Sequence, residues 1–75
     1  MYNVYIKFTN GDELTVFEVY EVQEKSNNEK EVYTYSEEKF CSVYAYSNFS
    51  YSFIGKNEIL TVLGLKVEYL LFRKV

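Results

Sequence analysis

Tyr2-Asn3-Val4-Tyr5-Ile6-Lys7-Phe8-Thr9-Asn10-Gly11-Asp12-Glu13-Leu14-Thr15-Val16-Phe17-Glu18-Val19-Tyr20-Glu21-Val22 is the stretch that decides the fold. Tyr2, Val4, Ile6 and Phe8 alternate with Asn3, Tyr5, Lys7 and Thr9, a period of two that sets the first group on one face of a strand. Asn10-Gly11 follows, and both residues tolerate the positive φ of a tight hairpin turn. Beyond the turn the alternation changes phase. Leu14 and Val16 share one face, Phe17 and Val19 the other, and Tyr20 and Val22 return to the first. A strand buried on both faces would read this way. A bulge near Val16-Phe17 would too, because one inserted residue moves every later side chain to the opposite face. The bulge is the preferred reading, since kinked strands let a small sheet curl.

Outward from this hairpin the chain keeps the strand period. Glu24 to Lys30 has no apolar residue and reads as an exposed loop, and a short strand is expected over Glu31 to Tyr35. Ser36 is placed to cap a short helix near 36–40, with Glu37 and Glu38 at the positive end of its dipole. Phe40 to Tyr46 and Phe49 to Ile54 then pair as a hairpin around Ser47-Asn48. Tyr46 would face Phe49, Tyr44 would face Tyr51, and small side chains would meet small ones on the other face, Val43 against Ser52. Glu58 to Leu63 is nearly all apolar and reads as a central strand. Gly64 breaks it, Lys66 to Phe72 forms the last strand, and Arg73, Lys74 and Val75 make a basic tail. The expected fold is a single all-β domain over residues 1–75. Its form would be an antiparallel meander of six or seven short strands, closed into a small barrel or bent into a strongly curved sheet.

Two stretches resemble pieces of the Sm-like barrel family. Ile6-Lys7-Phe8-Thr9-Asn10-Gly11-Asp12-Glu13-Leu14 resembles its first motif, an alternating strand running into Asn/Asp-Gly. Phe53-Ile54-Gly55-Lys56-Asn57-Glu58-Ile59-Leu60 resembles its second, a strand, a glycine turn and a strand. The resemblance implies a small barrel. Val16 stands where that family has a further glycine, and Ile54-Gly55 where it has the Arg-Gly turn that grips RNA. No residue's role carries over.

Composition excludes several chemistries. The 75 residues contain one Cys, no His, no Trp and no Pro. Zinc sites need Cys and His in sets of three or four, and nucleophilic triads need a His, so both are out of reach of one chain. Cys41 reads as a small buried hydrophobe. Glu21 with Glu24, or Glu29 with Glu31, could bind a hard cation only weakly, because the Asp-rich loop of a calcium site is missing. No cofactor and no catalytic residue is expected. Nothing reads as a signal peptide or membrane span, so a cytoplasmic, non-enzymatic binding protein is the expectation. Seven Lys against one Arg, with 9 Tyr, 6 Phe and 6 Asn against 3 Gly and no Pro, point to a low-GC genome, in the bacterial or phage range.

Charge is distributed unevenly. Residues 12–38 hold nine carboxylates against two lysines, a net of −7, whereas the other 48 residues carry a net of +4. Exposed carboxylates in such a segment can stand in for phosphates and steer a basic partner. They can also simply guard a sheet edge and keep an aromatic-rich chain soluble. Aromatics make up 20% of the chain, and rigid, amphipathic Tyr is a good interface residue. Direct nucleic-acid binding is disfavoured by a pI near 4.9 and a single Arg.

The expected function is therefore protein binding through an acidic, tyrosine-rich surface made of Glu18, Glu21, Glu24, Glu29, Glu31, Tyr33, Tyr35, Glu37 and Glu38. The partner would be a basic, nucleic-acid-binding or defence protein. A phage or mobile-element inhibitor, similar in size and acidity to anti-CRISPR proteins, is the natural case. The alternatives are an oligomeric small-ligand or nucleotide-sequestering protein and a structural or assembly protein. A 75-residue core rarely supplies more than about 3–5 kcal/mol, so a homodimer or larger assembly is expected as well.

Overall fold

The phase change in the second strand is a β-bulge. In the computed structural model, which describes all 75 residues, β1 (Tyr2–Phe8) pairs antiparallel with β2 (Glu13–Ser26). Tyr2 lies opposite Val19 and Val4 opposite Val16, so two steps along β1 match three along β2. Glu18 absorbs the difference by taking φ 54°, a left-handed conformation that costs a non-glycine residue about 1–2 kcal/mol. Three backbone groups of the bulge find partners outside the ladder. The Asn3 side-chain oxygen accepts the Glu18 amide at 3.1 Å, and the Glu58 carboxylate accepts the Phe17 amide at 3.2 Å. The Glu18 carbonyl accepts the Lys56 amide at 3.1 Å. A second irregularity, on the edge facing β4, lies between Val19 and Glu21. Between them the two bulges turn Val16, Val19 and Val22 into one core.

The chain continues through β3 (Val32–Ser36), a 3-10 turn over Glu37–Ser42, β4 (Phe49–Gly55), β5 (Ile59–Leu63), a second 3-10 turn over Gly64–Lys66, and β6 (Val67–Lys74). All six strands join one antiparallel sheet and make up 61% of the chain. The order is β5-β4-β2-β1-β6, with β3 also paired to β2. β4 occupies one edge of β2. β1 and β3 share the other in succession, β1 up to Val19 and β3 from Glu21. β5 and β6 end up on opposite borders of the sheet, yet only three residues separate them in sequence. So short a link forces the sheet to curl until its borders approach. No ladder joins them, and the sheet is not closed.

The concave face holds the core: Val4 and Ile6 of β1, the three valines of β2, Tyr51 and Phe53 of β4, Val62 of β5 and Val67 of β6. Phe40, on the first 3-10 turn, plugs one end, its ring 5.3 Å from that of Tyr2 and 5.2 Å from that of Phe72. At the first hairpin the Asn10 side chain bonds Asp12, and Gly11 takes φ 96°. The Asn10-Gly11 turn is where the pattern put it.

The second expected hairpin does not form. Ser47-Asn48 is a turn, but residues 37–42 are a 3-10 turn and Val43 to Tyr46 join no ladder. Both edges of β4 are already taken, by β2 (Ser50 opposite Lys25) and by β5 (Ser50 opposite Leu63), so no third strand can pair there. Tyr44, Tyr46 and Phe49 still pack ring against ring, which is the signal that mimicked a strand pair. β5 is a border strand rather than a central one. Only Val62 of its residues is buried, and Ile59 is 67% exposed. Cys41 is exposed, not buried. The sheet departs from a simple meander because β2 pairs with β4, and β1 with β6.

Two backbone positions make opposite demands on their side chains. A Cβ on Gly64 would sit 1.9 Å from the Tyr46 carbonyl oxygen, so Gly64→Ala must push the 43–46 segment off the sheet. Urea unfolding should show it less stable by about 1–3 kcal/mol. Glu18→Gly relieves the left-handed φ and should raise stability by about 1 kcal/mol in the same assay.

Candidate functional site

The half of β2 beyond the bulges runs between β3 and β4, and its residues 22, 24 and 26 turn toward the concave side. Val22 lies between Tyr35 and Phe53, and Glu24 between Tyr33 and Tyr51. The register therefore plants one carboxylate in a row of aromatic rings. Tyr51 is fully buried. Its hydroxyl accepts the Tyr46 amide at 3.0 Å. Two acceptors compete for its single proton, the Tyr44 carbonyl at 2.6 Å and Glu24 Oε2 at 2.8 Å. The Tyr35 hydroxyl reaches the same Glu24 oxygen at 3.4 Å. One phenol thus replaces a strand ladder in holding the 43–46 segment.

Burial pushes the ionisation of Tyr51 well above the usual tyrosine range, and the Glu24 charge adds to it, although the Tyr46 N–H acts in the opposite sense. Tyr35 shifts upward too, first through burial and then through Glu24. On the convex face the Tyr5 hydroxyl donates to Glu13, and that bond chiefly raises its ionisation.

Next to this network, Glu24, Ser26, Glu29, Glu31, Val32, Tyr33 and Phe49 line a cleft of about 170 Å³. Three carboxylates surround it. None has an ion-pair partner, since the one salt bridge in the chain joins the Met1 ammonium to Glu37 at 2.7 Å. The carboxylates do not gather into a metal-holding cluster. Tyr33 packs edge-on to Tyr35, their centroids 4.7 Å apart, and Phe49 packs on Tyr51.

Of the nine residues expected from sequence, Glu24, Glu29, Glu31 and Tyr33 meet at this cleft, and Tyr35 buttresses it through Glu24. The other four lie elsewhere. Glu18 sits in the bulge, and Glu21 is on the opposite face of β2, where it accepts a bond from Gln23 at 2.9 Å. Glu37 is neutralised by the N-terminus, and Glu38 accepts the Ser36 hydroxyl at 3.1 Å. The acidic segment is not one surface. Phe49 and Tyr51 escape a local reading, because only the long-range pairing of β2 with β4 brings them to Glu24. No protein-family model, curated protein or solved structure matches the chain.

Tyr51→Phe strips the Tyr46 amide and the Glu24 carboxylate of a shared partner and should cost about 1–3 kcal/mol. A raised folded-state value for a tyrosine means that the native protein keeps a proton the unfolded chain releases above about pH 10. The contribution of Tyr35 and Tyr51 is then fully present below pH 10 and lost as pH rises beyond it. Urea midpoints measured across the alkaline range should be level up to that point and fall above it, with a shallower fall in Tyr51→Phe.

Proposed function

We propose that this chain is a non-enzymatic protein-binding module that inhibits a basic partner, a nucleic-acid-binding or defence protein, by receiving a Lys or Arg side chain in the Glu24–Glu29–Glu31 cleft. The observation that carries this reading is three carboxylates without an ion-pair partner around a cleft walled by Tyr33 and Phe49. Carboxylates give a guanidinium or ammonium charge-assisted bonds, and ring faces attract the same cations. Size supports it as well. At about 170 Å³ the cleft suits one side chain, whereas small-ligand sites run from about 300 to 1,000 Å³. That difference favours a protein partner over sequestration of a nucleotide.

On this reading the curled sheet is a small barrel left open at one seam. It serves as a rigid frame for the cleft, since two of the cleft's elements, β2 and β4, are paired strands. The amino-acid composition, seven Lys to one Arg with many Tyr, Phe and Asn, supports a low-GC host, and a phage or mobile-element source acting in its cytoplasm fits that reading. Occupying a cation that its owner uses for phosphate would block that owner directly, and the remaining carboxylates of residues 12–38 would speed the encounter.

The test is titration with a short Lys- and Arg-rich peptide, followed by backbone amide shifts. Shifts should concentrate at Glu24, Glu29, Glu31, Tyr33 and Phe49, and binding should weaken steeply as salt shortens the screening length below about 8–10 Å. The double variant Glu29→Lys/Glu31→Lys should abolish those shifts and slow association, while Tyr33→Ala should chiefly raise the dissociation rate. Shifts spread evenly over all the carboxylates, or unchanged by the double variant, would remove the cleft as the site.

A further inference from the structure

β3 pairs with β2 and with no other strand. The phase of the β2 ladders decides which of its backbone groups that pairing leaves over. The Asn27 amide donates to the Asn48 carbonyl at 3.1 Å, one step beyond the pair of Ser26 and Phe49. In an antiparallel ladder, opposed residues that share such a bond alternate with opposed residues that share none. Glu21, Gln23 and Lys25 therefore turn their backbone groups to β4. The Gly55 amide, bonded to the Glu58 carbonyl at 2.8 Å, turns Gly55 toward β5 and gives β4 the same phase. Val22 and Glu24 are left to bond Tyr35 and Tyr33, in a register without a shift. Val32, Thr34 and Ser36 point their amides and carbonyls the other way. None of the backbone bonds outside the ladders involves these three, and all three are exposed.

Open edges are normally blocked by proline, lysine, a bulge or a covering segment. β6 has two of these, a bulge at Glu68 and the 43–45 segment facing its first half. Val32-Tyr33-Thr34-Tyr35-Ser36 has no proline, no charge and no bulge, and it is rich in strand formers. What the edge accepts is set by its neighbours. Tyr33 and Tyr35 share the concave face with Val22 and Glu24, and Glu31 precedes them by the same two-residue step. A strand added outside β3 would set every second side chain beside Glu31 and Tyr33, two of the residues that line the acidic cleft. The side chains between would meet Val32, Thr34 and Ser36, which are uncharged. The β3 of a second copy carries no cation and would leave the three carboxylates of the cleft unanswered.

We propose that β3 is the docking edge for an extended basic segment of the partner, which joins the sheet as an antiparallel strand with Lys or Arg at every second position. This rests on the cleft reading above and adds the form in which the cation arrives. Main-chain bonds to Val32, Thr34 and Ser36 give affinity, while cations over Tyr33 and beside Glu31 give specificity.

The probe is a short capped peptide in which Arg alternates with Thr and Val, added to the whole chain at low salt. Binding should slow hydrogen exchange at the Val32, Thr34 and Ser36 amides by about tenfold or more. The Tyr33 and Tyr35 amides, already in the ladder to β2, should change little. In this register the peptide's neutral residues bond β3 and its Arg amides face solvent. N-methylation of the neutral residues should therefore weaken binding by about tenfold or more, and N-methylation of the Arg residues should leave it unchanged. Thr34→Pro removes one outward donor at an edge position that tolerates proline. It should keep the parent's circular dichroism and lose affinity to a similar extent. Equal binding by the two methylated peptides, with amide shifts still centred on Glu24, Glu29 and Glu31, would overturn strand addition and leave the cleft reading standing. Binding and protection that survive Glu29→Lys/Glu31→Lys would instead remove the cleft, and the basic occupant with it. A chain that dimerises with the three amides already protected would give the edge to a second copy and overturn the proposal.

Discussion

A single left-handed residue, Glu18, makes the rest of this structure possible. β2 is 14 residues long and must serve β1 with its first half and β3 and β4 with its second. An unbroken alternation would carry Val16 and Val22 to the core but turn Val19 to solvent. The bulge inserts the residue that brings Val19 inward, and the second irregularity at Tyr20 brings Val22 back. The strain at Glu18 costs about 1–2 kcal/mol. Full burial of one valine is worth about 1.5–3 kcal/mol, and the bulge's backbone groups find Asn3, Lys56 and Glu58 as partners. The kink therefore wins on burial alone. It also bends the sheet, which lets three residues link its two borders.

A core of ten residues leaves little room for polar atoms, yet Tyr51, one of the ten, carries a hydroxyl. The group is tolerated because it is fully bonded, and no buried side-chain polar atom in the chain lacks a partner. It also does what a further strand would have done. Residues 43–46 have no ladder, and the Tyr51 phenol fixes them by bonding one carbonyl and one amide. Glu24 belongs to the same network, so the carboxylate at the base of the cleft is oriented by the core rather than by the loop above it. Glu29 and Glu31, on the 27–31 connection, bring the charge, and Glu24 brings the rigidity.

Local pattern carried the parts of this fold that local rules govern. The Asn10-Gly11 turn, the bulge beside Phe17, the Gly64 break and the alternation of β1 each arise from neighbours in the chain. Where long-range competition decides, the pattern misleads. Phe40 to Tyr46 alternates large and small side chains as a strand would, but β4 has only two edges and β2 and β5 occupy both. Glu58 to Leu63 is apolar enough for a central strand and ends as a border. The candidate site divides the same way. Glu29, Glu31 and Tyr33 are close in sequence and meet, whereas Glu18 and Glu21 are separated from Glu24 by bulge and pleat, a displacement visible only once the phase of β2 is known.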